Sequence, residues 1–277
     1  MPDAGVFRAL HEREGAFIIP NPWDTGSARM LAGLGFEALA TTSAGMAFAQ
    51  GLPDGCVRRD AVLDHCRVIV AATDLPVSAD LENGFGDAPE DVADTIRAAA
   101  ATGLAGCSIE DHTGDRDDPI YPLALAMERI AAAVEASRGL PDDFVLTARC
   151  ENLLWGRDDL GDTIARLQAF AAAGADVVYA PGLRDLAAIR AVCAAVDAPV
   201  NVVMGLPGAT FGVAELAEAG VARISVGSAL ARAAYGAFLA GAREMADAGT
   251  FAFADSASGF AELEAFFRAY CPQGVNA

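Results

Sequence analysis

The sequence predicts an α/β fold, a single (β/α)8 barrel of the TIM type, and three observations predict it. First, four segments repeat one pattern: an Ala-rich helix end, a Gly, an apolar run, then polar residues. They are "LAGLGFEALATTS" (31–43), "AAATGLAGCSIED" (99–111), "FAAAGADVVYAPG" (170–182) and "LAEAGVARISVGS" (216–228). Second, four further apolar runs fall between them, "AFIIP" (16–20), "PVSAD" (76–80), "FVLTAR" (144–149) and "PVNVV" (199–203), which makes eight strands. Third, the chain has 277 residues, 53% of them hydrophobic, which suits one large barrel core. The main alternative is an open, doubly wound sheet. No G-x-G-x-x-G follows the first strand, which argues against its dinucleotide-binding version.

The elements follow in order. Strand 16–20 leads to a helix near 25–34, and the strand of the first repeat ends in "ATTS". A loop with "GLPDG" comes next, then a helix near 58–73 and strand 76–80. Helix 88–102 precedes the second repeat strand, and helix 122–138 precedes strand 144–149. Helix 160–173 feeds the third repeat strand, helix 183–195 feeds strand 199–203, and helix 212–219 feeds the fourth repeat strand. A helix at 228–247 and an amphipathic helix near 256–268 finish the chain. Gly35, Gly103, Gly174 and Gly220 stand where a helix end needs a left-handed residue. The apolar runs read as parallel strands buried on both faces.

Composition excludes several functions. The net charge is −19, from 19 basic against 38 acidic residues, so phosphate backbones and anionic membranes are repelled. Every basic residue is Arg. With no lysine amine, a Schiff-base aldolase, a pyridoxal-phosphate enzyme and a Walker-type nucleotidase are all ruled out. Three histidines, His11, His65 and His112, argue against a multi-histidine zinc site. The six cysteines (56, 66, 107, 150, 193 and 271) show no C-x-x-C spacing and read as small buried hydrophobes in a reducing cytoplasm. The first residues lack the apolar stretch of a signal peptide, and no apolar run is long enough to span a bilayer.

A barrel of this kind carries its site at the C-terminal ends of the strands. Read in order, those ends offer Trp23 and Asp24; Thr41, Thr42 and Ser43, with Asp54 in the following loop; Asp80, Glu82 and Asp87; Glu110, Asp111 and His112; Arg149, Glu151 and Asn152; Asn201; and Ser225 and Ser228. So many carboxylates at one mouth repel each other unless a cation holds them, and a hard divalent ion prefers oxygen ligands. Asp80, Glu82 and Glu110 are therefore the metal candidates, for Mg²⁺ with Mn²⁺ as the alternative. Arg149 can grip a substrate carboxylate through two parallel hydrogen bonds. A divalent ion facing an arginine suits a small 2-oxo acid. Plainer roles are open to the same residues. Asp80 and Glu82 can cap the next helix, Glu110–Asp111 can be a loop pair, and Asp24 suits an N-cap before Thr25. Arg149 can pair with Glu151 or Glu110, His112 can be solvated, and Asp54 between Pro53 and Gly55 suits a turn.

"NPWDTGSARMLAGLGFEALATTSAG", "GLPDG", "SADLENGFGD", "CSIEDH" and "TARCEN" together resemble the isocitrate lyase / phosphoenolpyruvate mutase superfamily, from about residue 15 to about 230. The resemblance implies a modified barrel over 1–247. It also implies a C-terminal helical segment over 248–277 whose helix is swapped between subunits of a homodimer or homotetramer. It implies that Asp80 meets Mg²⁺ directly and that Glu82 and Glu110 hold it through waters. Thr41, Thr42 and Ser43 would bind the substrate carboxylate, with Trp23, Asp24 and Asn201 as further substrate contacts. Arg149 would hold the substrate, and Asp54 would stand near the reacting atoms. The shared chemistry is an enolate of a 2-oxo acid with Mg²⁺ at the oxyanion. The sequence departs from the family after strand 4. The lyases carry K-(K/R)-C-G-H in that loop, whereas "IEDHTGDRDDPIYP" has no Cys, and the Lys that follows "IED" in the mutases is His112 here. Proton transfer then falls to Asp54 with His112 or Arg116. The expected activity is a Mg²⁺-dependent lyase that makes or breaks a C–C bond of a small 2-oxo or 2-hydroxy acid. The alternatives are phosphonopyruvate mutase or hydrolase chemistry, oxaloacetate decarboxylation, and non-catalytic binding of a 2-oxo acid.

Overall fold

The computed structural model describes residues 4–208 and 210–270. The chain runs α1 (Ala4–Glu12), β1 (Phe17–Ile19), α2 (Thr25–Gly33), β2 (Leu39–Ala40), α3 (Ser43–Ala49), α4 (Arg59–Val70), β3 (Val77–Asp80), α5 (Pro89–Ala100), β4 (Gly106–Glu110) and α6 (Leu123–Arg138). It continues β5 (Val145–Arg149), α7 (Leu160–Ala172), β6 (Val177–Tyr179), α8 (Leu186–Ala195), β7 (Val200–Val203), α9 (Val213–Glu218), β8 (Arg223–Ser225), α10 (Ala229–Ala248) and α11 (Phe260–Arg268). Eight parallel strands pair in the order β1-β8-β7-β6-β5-β4-β3-β2, ringed by helices. The ring is nearly closed. Between β1 and β2 the seam is held where the Ala40 N–H donates to the Pro20 carbonyl at 3.1 Å. Asn21 reinforces it, donating to the Thr41 carbonyl at 3.0 Å and accepting the Val226 and Gly227 N–H groups at 2.9 Å each.

All eight expected strands form, and Gly35, Gly103, Gly174 and Gly220 have φ of 87°, 89°, 102° and 94°. The differences lie at the ends and in short helices. Residues 43–49, read as loop, form α3, because the Thr42 hydroxyl caps the Gly45 N–H and Gly45, Met46 and Ala47 pack inward. The helix expected near 183–195 starts only at Leu186, after Asp185 caps the Ala188 N–H. The final helix starts at Phe260 rather than near 256, after a 3-10 turn at Ala252–Ser256.

The sequence reading assigned no helix at 4–12, yet α1 closes the N-terminal end of the barrel. Phe7, Leu10 and His11 are buried there with Phe17, Ala38, Ala105 and Val145. Burying Phe7 contributes about 2 kcal/mol. Gly106 allows the approach, since a Cβ there would stand 2.4 Å from the Val145 carbonyl and 3.1 Å from the Phe7 ring. Below the strands, His11 donates from Nδ1 to the Phe7 carbonyl, so Nε2 is free to accept from Arg223 at 3.2 Å. Burial, and then the Arg223 charge, push His11 down to about 3, so it is neutral. Arg223 also donates to Asn201 and Thr147 at 2.9 Å each, and burial lowers it to about 10.

At the other end of the chain, α11 packs on α2 of the same chain, with Phe266 and Tyr270 over Gly33. Cys271 lies outside the described residues. Cys66, Cys107 and Cys150 are buried as expected and Cys193 is half-buried, but Cys56 is exposed because it sits on the open loop before α4. Among the described residues, no helix is long and apolar enough to cross a membrane.

Candidate active site

Strand register sets the site. Glu110 at the end of β4 lies opposite Arg149 at the end of β5, and Arg149 lies opposite Tyr179 at the end of β6. Asp80 ends β3 next door. The Arg149 guanidinium is accordingly drawn among acids. Its Nε donates to Glu151, and its Nη1 lies 3.4 Å from Glu110 and 3.6 Å from Asp80. Its Cζ sits 5.2 Å above the Tyr179 ring. Burial works against this cation, but Glu151 and Glu110 outweigh it and hold it charged. Arg149 is thus paired with Glu151, and it also lines the cleft.

Asp80 is fixed from three sides. Its N–H donates to the Thr41 hydroxyl at 3.0 Å, and its carboxylate accepts from the Ser43 N–H at 3.4 Å and the Glu82 N–H at 3.3 Å. Glu82 occupies left-handed backbone, with φ of 50°, as does Phe85 with φ of 63°. Non-glycine residues there cost roughly 1 kcal/mol or more each, and such strain gathers at functional loops. Arg129 of α6, 1% exposed, holds the loop in place. It donates to the carbonyls of Gly86 at 2.6 Å, Asp87 at 2.5 Å and Asn83, and stacks over Tyr121, whose hydroxyl donates to Asp87.

Electrostatically, this is a pool of acids short of positive charge. Burial, then Asp80 and Asp54, push Glu82 up to about 7. Burial pushes Glu110 well above the usual carboxylate range, Arg149 opposes it, and Glu151, Asp80 and Glu82 add to it. Asp54 belongs to an exposed turn, but its carboxyl faces Ser43 and Asp80, and burial followed by Asp80 raises it. Asp111 has a different part. Its carboxylate accepts the Glu151 N–H at 2.7 Å and lies 3.1 Å from buried Arg166, so it pins the start of the β5 loop.

The segment after β4 closes on itself. His112 bridges Ile120, and the Thr113 N–H donates to the Pro119 carbonyl. The His112 ring stacks on Trp155 at 4.1 Å, and the Arg116 guanidinium lies 5.9 Å from the same indole. His112 Nδ1 accepts the Gly114 N–H at 3.2 Å, which places the proton on Nε2, a buried atom without a partner. Burial lowers His112, so it is neutral at pH 7.

One cleft of about 1060 Å³ brings together Ser43, Asp54, Glu82, Glu110, His112, Arg116 and Arg149. A chamber of about 60 Å³ beneath holds Thr41, Thr42, Asp80 and Asn201, and Arg149 touches both spaces. The structure gives several expected substrate contacts other work. The Thr41 hydroxyl holds Asp80, the Thr42 hydroxyl caps α3, and Asn201 binds Arg223 and Ser225. Asp24 caps α2 through the Ser27 N–H at 2.7 Å. Trp23 lines neither space; its carbonyl meets the His65 ring at 2.9 Å.

Sequence reading missed Trp155, the Arg129 brace, and Arg58 and Arg59 on the cleft wall. A signal for the last two was available. Two cations at a helix N-terminus oppose its dipole, so something else must favour them. Among the described residues, no three His, Cys, Asp or Glu side chains converge at metal-ligand spacing. The donor set Asp80, Glu82 and Glu110 is nonetheless oxygen-only and short of positive charge. It fits a hard cation that keeps most of its waters and takes only one or two carboxylates.

The family model for phosphoenolpyruvate phosphomutase matches residues 7–246. A solved structure described only as a lyase/mutase from Burkholderia cenocepacia J2315 is 62% identical, with a TM-score of 0.94, covering 97% of this chain and 96% of that one. The 2-methylisocitrate lyase of Escherichia coli K12 is 32% identical over 203 residues, 70% of this chain and 67% of its own. An oxaloacetate acetylhydrolase structure with the product oxalate is 27% identical, with a TM-score of 0.84, covering 95% of this chain and 93% of that one. The chain belongs to the phosphoenolpyruvate phosphomutase family, within the isocitrate lyase/phosphoenolpyruvate mutase superfamily of lyases and mutases.

Proposed function

We propose that this family member is a Mg²⁺-dependent lyase that makes or breaks a C–C bond beside the carbonyl of a small 2-oxo or 2-hydroxy carboxylic acid. The observation that carries the reading is the pool of Asp80, Glu82, Glu110 and Glu151 around the single guanidinium of Arg149, at the C-terminal mouth of the barrel. Relatives that cleave 2-methylisocitrate or bind oxalate support it.

Asp80 would hold the cation directly, with Glu82 and Glu110 around it. Mg²⁺, or Mn²⁺, would supply neutralisation of a developing enolate oxygen. Arg149 turns its remaining N–H groups toward the substrate carboxylate. Asp54, its carboxyl raised and facing Ser43, takes the proton from the substrate hydroxyl as the C–C bond opens. The proton that Asp54 gains is the one the enolate carbon takes back, and His112, neutral and stacked on Trp155, shapes that edge of the cleft. Arg116 closes the segment above through Trp155.

The test is a panel of small oxo- and hydroxy-acids with Mg²⁺, read by NMR for release of a 2-oxo acid. Turnover no greater than that of Asp80→Ala would sink the proposal. Phosphate released from phosphonopyruvate would move the reading to C–P chemistry, and bicarbonate from oxaloacetate would move it to decarboxylation. The acting form is a homodimer or homotetramer in the cytoplasm. Support for assembly is the apolar surface left on the chain's last helices, where Phe238, Phe251 and Phe260 are 69%, 67% and 82% exposed. Exchange of α11 between subunits is part of this proposal.

A further inference from the structure

One layer below the cleft, the inside of the barrel is polar. Strand alternation turns Arg223 and Ser225 of β8 to the same side, as it does Ser78 with Asp80 on β3 and Ser108 with Glu110 on β4. Branched apolar side chains fill this layer in an ordinary barrel. Here Ser78, Ser108, Asn201, Arg223 and Ser225 surround the chamber of about 60 Å³.

Arg223 is 5% exposed and stays charged at neutral pH, yet among the described residues it forms no ion pair. Its partners are three neutral acceptors. Asn201 takes the Nε hydrogen at 2.9 Å, Thr147 takes one from Nη2 at 2.9 Å, and His11 takes one from Nη1 at 3.2 Å. A guanidinium has two hydrogens on each Nη, so one on each is left over. The hydroxyls of Ser78 and Ser108 have no hydrogen-bond partner among the described residues, although both residues line the chamber. Asp80 is the one carboxylate in the chamber wall, and it is engaged above by the Ser43 and Glu82 N–H groups and by Arg149. The wall thus presents a buried cation and two hydroxyl donors with no negative group of their own, whereas buried charges are held by opposite charge.

We propose that this chamber is a structural site for one small monovalent anion, chloride, held by the free Nη hydrogens of Arg223 and by the hydroxyls of Ser78 and Ser108. A space of about 60 Å³ admits a halide or a few waters but is far below the roughly 300 Å³ or more of pockets that enclose organic ligands. The ion neutralises Arg223, and through it steadies β5, β7 and α1, which Arg223 ties to β8. The site takes no part in the reaction, so it stands whether or not the cleft above binds a 2-oxo acid. A carboxylate reaching down from a substrate would bring the same negative charge, and the test separates the two sources.

The experiment is thermal unfolding of the full chain without divalent metal, in sodium chloride, bromide or formate exchanged against gluconate at a constant ionic strength of about 300 mM, so that general screening is the same throughout. Gluconate is too large for the chamber, and formate stands for a substrate carboxylate. The expected result is a Tm that rises with either halide and saturates, by about 4 °C for an ion present at about thirtyfold its Kd. Crystals of the chain soaked in bromide should show anomalous density beside Arg223, Ser78 and Ser108. Ser78→Ala should raise the halide concentration at half-effect about tenfold, the worth of one hydrogen bond to a charged group, and Arg223→Met should abolish the response. If Arg223→Met does not fold, Ser78→Ala and the bromide density decide. Equal Tm in chloride and gluconate, or a chamber without bromide density, overturns the site and leaves water as its occupant. A halide response unchanged in Ser78→Ala overturns it too, because the ion then binds elsewhere. A formate response larger than that of chloride assigns the chamber to a substrate carboxylate and overturns the halide site.

Discussion

Arg166→Met tests the framework behind the site. Arg166 of α7 is 4% exposed and donates to Asp111 at 3.1 Å, to the Tyr121 carbonyl at 3.1 Å and to Asp162 at 3.0 Å. Asp111 is 3% exposed and also accepts the Glu151 N–H. Removing the cation leaves a buried carboxylate without its counter-charge, which costs about 3–5 kcal/mol. For a chain of this length that is roughly 2 °C per kcal/mol, or about 6–10 °C in Tm. The pH dependence follows from the carboxyl. Burial already raises Asp111 to about 6, with the Glu151 N–H and Arg166 opposing that rise. A folded value above the unfolded one means that stability is lost as pH rises from the unfolded value towards about 6. Without Arg166 the folded value rises further, so this loss continues to higher pH. The variant's deficit is therefore larger at pH 7.5 than at pH 5, where the lone carboxyl takes up a proton. Thermal unfolding followed by circular dichroism at both pH values measures it. Adding Asp111→Asn to Arg166→Met should recover part of the loss, because the stranded charge is gone. A Tm loss below about 2 °C at pH 7.5, or one of equal size at pH 5, would refute the reasoning.

Three more outcomes are expected. Mg²⁺ favours ionised carboxylates, so its binding at pH 6 should release protons from Glu82, which titrates near 7, and from the raised Glu110. Calorimetry in two buffers of different ionisation enthalpy should then differ at pH 6 and converge towards pH 8.5, and buffer-independent heats at pH 6 would contradict it. Arg149→Lys keeps the charge but loses the fork between Glu151 and Glu110, and should lower kcat/KM by about 10–100-fold in the NMR assay, with activity retained within twofold counting against the role. Gly106→Ala drives a methyl into the Val145 carbonyl and the Phe7 ring, and should cost about 1–3 kcal/mol in urea unfolding; an unchanged midpoint would show that α1 does not seal the barrel as described.

The barrel was legible because it repeats. Each Gly such as Gly174 marks a helix end, and each apolar run such as "DVVYA" has the length and two-sided apolarity of a buried parallel strand. The acidic ends of β3 and β4 and the Arg149 end of β5 were legible for a similar reason, since strand ends fix position. Long-range partnerships were not legible. Nothing in "DRDD" says that Arg116 rests on Trp155, and nothing in "AMERI" says that Arg129 braces a loop more than 40 residues away. Short helices also escaped. α1 has nine residues and α3 seven, and both are stabilised by packing on the barrel more than by their own propensity. The hydrogen bonds of Thr41 and Thr42 were hidden as well: the Thr41 hydroxyl accepts the Asp80 N–H from the neighbouring strand, and the Thr42 hydroxyl accepts the Gly45 N–H within its own turn.

The site's charge balance has a consequence for binding order. Asp80, Glu82, Glu110 and Glu151 are four carboxyls, and Arg149 is the one guanidinium among them. Arg149 is already committed to Glu151 through Nε and shared by Nη1 between Glu110 and Asp80. A substrate carboxylate entering this pool by itself adds a negative charge where burial already raises Glu82 to about 7 and Glu110 well above the usual carboxylate range. Its entry is favourable only if positive charge arrives first or with it. On the proposed function, occupancy by a divalent cation and by the acid would therefore be coupled with positive sign, and reciprocity would require each to raise the affinity of the other.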